Sequence, residues 1–136
     1  MLRLVVDTCV LLQAISSRCP LHPIFQAVLD RRCTLLISNE ILTEYTEALG
    51  KLNNRVLLES VLGLMKWAVN IEYIDPHYRF QLLHIDADDN KFVDCAICGN
   101  ADFLITEDAG YAVLSAIPFP KINIISPKNF ILLHLT

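Results

Sequence analysis

The chain has 136 residues, 54% of them hydrophobic and 19% charged, with a formal net charge of −4. That much apolar material excludes disorder, and the length suits one domain around a single core. The acidic balance argues against nucleic-acid binding through a broad basic surface, but it leaves room for acids neutralised locally by metal ions.

No apolar run reaches the ~18 residues of a membrane span, so no membrane contact is expected. The opening MLRLVVDTCVLLQA has only Arg3 as a basic residue, and Asp7 interrupts its apolar run. A core strand fits it better than a signal peptide. Cys9, Cys19, Cys33, Cys95 and Cys98 form an odd, scattered set, which predicts reduced thiols and a cytoplasmic protein. Cys95-x-x-Cys98 has no companion pair and reads as two buried small residues.

In chain order, Leu2–Val6 is an apolar strand that ends at Asp7-Thr8, and Val10–Ile15 resumes as helix. From this segment alone, capping of that helix explains Asp7. Residues 16–23 form a loop, followed by a helix over Pro23–Arg32 and a buried strand over Leu35–Ile37. Ser38 or Asn39 caps a helix over Glu40–Leu52. Ile41, Tyr45, Ala48 and Leu52 form its inward stripe, with Glu44 at the stripe's edge and Glu40 and Glu47 toward solvent. A carboxylate against an apolar face needs a partner, and either a salt bridge or a metal ion supplies one.

Asn53–Val69 is the longest helix. Val56, Leu57, Val61, Leu64, Met65 and Ala68 form one stripe, and Leu58, Leu62, Trp67 and Val69 leave little polar surface. So apolar a helix predicts an interface, most simply a homodimer. Ile71–Ile74 is a short edge strand closed by Asp75-Pro76, and Tyr78–His84 has no clear pattern.

The stretch DADDNKFVDCAICGNADFLITED, Asp86–Asp108, organises the rest. An acidic turn, Asp86, Asp88 and Asp89, precedes a helix with Phe92, Val93, Ala96 and Ile97 on one face. Gly99-Asn100 ends that helix, both residues tolerating the left-handed conformation. Phe103–Ile105 is a buried strand that runs out at Thr106-Glu107-Asp108. Ala109–Ala116 reads as a short helix, Ile122–Ile125 as a last strand and Pro127–Leu133 as a terminal helix or tail.

Alternating strands and helices predict an α/β fold, a three-layer α/β/α sandwich on a central parallel sheet, in one domain over residues 1–136. Asp7 and Asp108 close two strands, Asp89 starts a helix and Glu44 lies a turn inside another. Right-handed crossovers bring such ends to one edge, where ligands bind in parallel sheets. Crowded carboxylates repel unless a cation neutralises them. Oxygen ligands without a His or Cys cluster point to Mg²⁺ or Mn²⁺, and such a centre serves phosphoryl chemistry.

The segments LVVDTCVLL, LLISNEILTEYTEAL, DADDNKFVDCAICGNADFLITED and INIISPKNFI, in this order and spacing, resemble the PIN-domain ribonucleases, including the VapC-like toxins of bacterial toxin–antitoxin pairs. The resemblance covers nearly the whole chain. By position it puts the family's acids on Asp7, Glu44, Asp89 and Asp108, as catalytic residues and metal ligands, and its small hydroxyl residue on Thr106. It implies a Mg²⁺- or Mn²⁺-dependent endoribonuclease with an RNA substrate, an antitoxin protein as partner, a PIN-like sandwich and frequent dimers. Asp89 is preferred over Asp88 and Asp86 because Ala96 then takes the family's alanine position seven residues on. Cys9 departs from the usual Asn or Ser. Asp88 and Asp94 are auxiliary candidates, although Asp94 lies about 140° from Asp89 around an ideal helix. Lys91 is placed to contact a phosphate, and a simpler reading pairs it with Asp94 at i, i+3.

Two other readings compete. A receiver-like phospho-acceptor also gathers Asp and Thr at strand ends, but it needs a Lys at the end of a late strand, and neither Lys121 nor Lys128 is so placed. A catalytically silent binding module for RNA or protein, motivated by the apolar Asn53–Val69 helix, ranks below the enzyme because all four acid positions are filled.

Overall fold

The structure is a computed structural model that describes residues 1–68, 70–83 and 87–136. Asp86, His84 and Val69, which figure in the sequence reading, lie outside the described residues. Five parallel strands, β1 (Leu2–Val6), β2 (Cys33–Ile37), β3 (Ile71–Tyr73), β4 (Phe103–Ile105) and β5 (Ile124–Ile125), form one sheet in the order β3-β2-β1-β4-β5. The helices are α1 (Thr8–Ala14), α2 (His22–Leu29), α3 (Asn39–Gly50), α4 (Arg55–Trp67), α5 (Asn90–Cys98) and α6 (Pro127–His134).

The central strand explains its own composition. Leu4, Val5 and Val6 are all buried, as expected where helices cover both faces of a parallel sheet. From β1 the chain steps outward to β2 and β3, then returns across β1 to β4 and β5. Right-handed crossovers taken in opposite directions put their helices on opposite faces, which gives the α/β/α sandwich. The reversal lies between β1 and β4. This is the switch point where such sheets bind ligands.

The helix starts follow side-chain chemistry. Ser38 accepts from the Ile41 amide at 3.3 Å, Asn54 from Leu57 at 3.1 Å and Ser126 from Asn129 at 3.2 Å. At the carboxyl edge the Tyr45 hydroxyl donates to the Val6 carbonyl, and the Tyr45 and Phe92 rings lie 6.4 Å apart, joining α3 to α5. Helix α5 ends as its sequence suggests, with Asn100 in the left-handed region at φ 54°. Gly99 is needed for a different reason: a Cβ there would sit 2.8 Å from Leu36 Cδ1 and 2.9 Å from Ile74 Cγ1.

The structure revises several expected boundaries. Helix α4 buries Val61 and Met65, but Val56 and Leu64 of the expected inward stripe are exposed, and Trp67 is 78% exposed. Residues 109–116 form a 3₁₀ segment, the last strand is confined to Ile124–Ile125, and residues 74–83 carry no regular structure.

Candidate functional site

The β1–β4 register carries on past the strands. Val6 pairs with Ile105, so Asp7 falls beside Thr106. The Asp7 amide donates to the Ile105 carbonyl at 3.0 Å. The Thr106 hydroxyl donates to Asp7 Oδ2 at 2.8 Å and accepts from the Asp108 amide at 3.0 Å. Asp7 Oδ1 accepts from the Thr8 amide at 2.8 Å, so the cap expected from local sequence is present. Asp7 is 8% exposed, and burial is the first reason its carboxyl is pushed above the usual range. The Thr106 and Thr8 hydrogen bonds oppose that rise, while the nearby charges of Glu44 and Asp108 add to it.

Glu44 reaches the same edge from α3. Thr8 donates its hydroxyl to Glu44 Oε2, and Lys91 of α5 pairs with Oε1 at 2.7 Å. The Lys91 side chain is 18% exposed and that of Glu44 29%. Burial pulls the Lys91 ammonium down, but Glu44, with Asp88 and Glu40, more than offsets this and leaves it raised. The expected Lys91–Asp94 pair is therefore replaced. Asp94 is itself buried and accepts the Phe80 amide at 3.1 Å, with the Arg79 charge nearby. It anchors the segment after β3 and does not join the other acids.

Asp89 stands at the start of α5 and does not cap it with its side chain. Asp108 opens the 3₁₀ segment and accepts the Gly110 amide at 2.8 Å. Cys9 locates the group as a whole: its thiol is pushed up first by burial, then by Asp7, Glu44, Asp89 and Asp108 together. All four acids thus lie within electrostatic reach of one thiol near the mouth of β1. Asp88 is exposed beside them.

Among the described residues, no three His, Cys, Asp or Glu side chains are arranged to hold a metal ion as they stand. Glu44 instead pairs with Lys91 and Thr8, and Asp108 accepts from its own turn. The donor chemistry still fits a hard cation. The acids offer only oxygen, and the buried Asp7 carboxylate has hydrogen-bond donors but, among the described residues, no cationic side chain paired with it.

Sequence reasoning gave Thr8 and Tyr111 no role here, and for Lys91 it preferred an intrahelical pair with Asp94 to a phosphate contact. Tyr111 is fully buried, and burial first, then the charges of Asp7 and Asp89, push its hydroxyl well above the usual range. The signal available was its spacing, three residues beyond Asp108.

Comparison with known proteins follows the same lines. The family model described as PIN domain matches residues 3–110. No curated protein matches the chain. Among solved structures, VapBC2 from Rickettsia felis, bound to a DNA fragment from its promoter, aligns with a TM-score of 0.62 at 19% identity, covering 92% of this chain and 98% of that one. FitAcB from Neisseria gonorrhoeae aligns with a TM-score of 0.56 at 12% identity, again covering 92% and 98%. At such identities these two show the shared fold, while the family model spans most of the sequence: the chain belongs to the PIN domain family.

Proposed function

We propose that the protein is a Mg²⁺- or Mn²⁺-dependent endoribonuclease that hydrolyses RNA phosphodiester bonds and acts as the toxin of a toxin–antitoxin pair. The observation that supports this reading is the hydrogen-bonded link from Asp7 through Thr106 to Asp108 at the switch point of the sheet, with the charges of Glu44 and Asp89 reaching the same place. These four acids would hold the cation. When bound, the ion would supply an acidic water and charge stabilisation for the displaced oxygen.

The chain's own residues do the rest. Thr106 fixes the Asp7 carboxylate and the Asp108 backbone as one unit. Thr8 and Lys91 hold Glu44 from opposite oxygens. Lys91, beside the acids on Glu44, would be the residue to meet a substrate phosphate. Asp88 adds negative charge at the rim.

An antitoxin partner is supported by the VapBC2 neighbour. Val56, Leu64 and Trp67, exposed along α4, support self-association through the Asn53–Val69 region. Five unpaired cysteines support a cytoplasmic setting. No described helix is long and apolar enough to cross a membrane.

The test is cleavage of single-stranded and structured RNA by the purified protein with Mg²⁺ or Mn²⁺, against a chelator control. Asp108→Asn should abolish cleavage and keep the fold. Full activity in that variant removes Asp108 from the centre. RNA binding without cleavage under all metal conditions establishes the silent binding module, which the Lys91–Glu44 pair also suits.

A further inference from the structure

A cavity of about 620 Å³ opens along the carboxyl edge of the sheet, next to the acids. Three connections fix its place. Glu107 stands two residues after β4, between Thr106 and Asp108, and Pro127 stands two residues after β5. Gln13 lies one turn along α1 from Cys9, about 6 Å away, and its amide donates to the Cys9 carbonyl at 3.2 Å.

Clefts that take small ligands span about 300–1,000 Å³ and pair an apolar floor with a few convergent polar groups. This cavity has that make-up. Leu21, Pro127 and Ile131 are wholly or partly buried and form the floor, while Gln13, Glu107 and Lys128 are exposed around it. Among the described residues, neither the Glu107 nor the Lys128 side chain has a hydrogen bond or ion pair, and Gln13 keeps its amide oxygen free. Singly, such groups are ordinary solvated side chains. Around one apolar floor they match a nucleotide, which has a flat apolar base face, a polar base edge and an anionic phosphate. A strand cleaved at the acids must continue past them, and Glu107 puts the cavity on that path, which places RNA ahead of a protein segment as its occupant.

We propose that the cavity holds the nucleotide next to the bond that is cut, and so sets where the RNA is cleaved. The base lies on Leu21, Pro127 and Ile131. Glu107 accepts from an amino group on the base edge, and Lys128 meets a second phosphate along the strand. Uracil has no amino group and is the base this arrangement disfavours. The inference rests on the endoribonuclease reading above.

The test is cleavage of a randomised single-stranded RNA with Mn²⁺, followed by sequencing of the new ends. At one position beside the cut the wild type should favour adenine, cytosine or guanine over uracil by about tenfold. Gln13→Trp, a change at an exposed position, sets a ring over the cavity and should cut that preference to about twofold or less. Lys128→Gln should flatten the slope of log kcat/KM against log salt by about 0.7, the share of one single-strand phosphate contact. Mn²⁺ affinity by isothermal titration calorimetry should match the wild type in both variants, since neither residue is a ligand.

A wild-type pattern that favours uracil, or no base at all, overturns the proposal. So does an unchanged preference in Gln13→Trp or an unchanged salt slope in Lys128→Gln, and a protein segment is then the occupant left for the cavity. Lost Mn²⁺ affinity in either variant would tie its effect to the metal centre and also counts against the cavity. If the wild type cuts no RNA with either metal, the endoribonuclease reading itself has failed, and that outcome is distinct from an enzyme that cuts without regard to the base.

Discussion

Thr106 ties the end of β4 to the end of β1 through a 2.8 Å hydrogen bond from its hydroxyl to Asp7 Oδ2. The Thr106 hydroxyl in turn accepts from the Asp108 amide, so one side chain sets the spacing of two acids. Thr106→Val keeps the shape and removes both bonds. Metal affinity or RNA cleavage should drop by about 10–100-fold with the circular dichroism spectrum unchanged. Wild-type Mn²⁺ affinity and cleavage in this variant would show that the acids hold their spacing without it.

Asp7 carries a second expectation, in pH. Burial first, then Glu44 and Asp108, raise its carboxyl above the unfolded value. Such a group favours the fold while protonated, and that contribution is lost as pH rises from the ordinary carboxylate range through the raised value. Asp7→Asn escapes the loss. Without metal, its melting temperature should gain on that of the wild type between about pH 4 and about pH 7. With Mn²⁺ at about a hundred times its dissociation constant, the wild type should gain about 2.7 kcal/mol and the variant far less. Differential scanning calorimetry at both pH values, with and without Mn²⁺, checks both halves.

Lys91 makes an ion pair with Glu44 that is neither fully exposed nor fully sealed. Lys91→Met should destabilise the metal-free protein by about 1–3 kcal/mol, between the values for surface and buried pairs. Added Mn²⁺ should recover much of this, because the ion replaces the ammonium as counter-charge. Urea denaturation with and without Mn²⁺ reads the difference directly, and an equal loss in both conditions would separate Lys91 from the metal centre.

Gly99→Ala tests the packing of α5 on the sheet. The new methyl meets Leu36 and Ile74 at under 3.0 Å, so α5 or its neighbours must shift. A loss of about 1–3 kcal/mol is expected by chemical denaturation. Because α5 begins next to Asp89, the same shift should weaken Mn²⁺ binding, which the same sample can report.

The sheet could be read from the sequence because each strand is an apolar run that ends on a polar residue. Leu2–Val6 stops at Asp7 and Phe103–Ile105 at Thr106, and strand ends of a parallel sheet share an edge. The interior of the site could not be read that way. Lys91 has Asp94 as its neighbour along the helix, but its partner comes from α3, and only tertiary packing supplies that. Asp94 in turn is held by an amide from a segment with no regular pattern, a contact that no periodicity encodes. Helix α4 is apolar nearly all round, so its wheel did not say which side faces the core, and Val56 ended up outside. Tyr111 lies in a stretch read only as a short helix, and nothing in that pattern marks its hydroxyl as a buried group without a partner among the described residues.

The two outer strands are short. β3 spans three residues and β5 two, so the sheet exposes little unpaired backbone at either margin. Neither margin offers a long template on which a second chain could add a ladder of hydrogen bonds. Growth of the sheet from molecule to molecule is thereby discouraged, and contact between copies falls to side chains, where single substitutions can tune or abolish it.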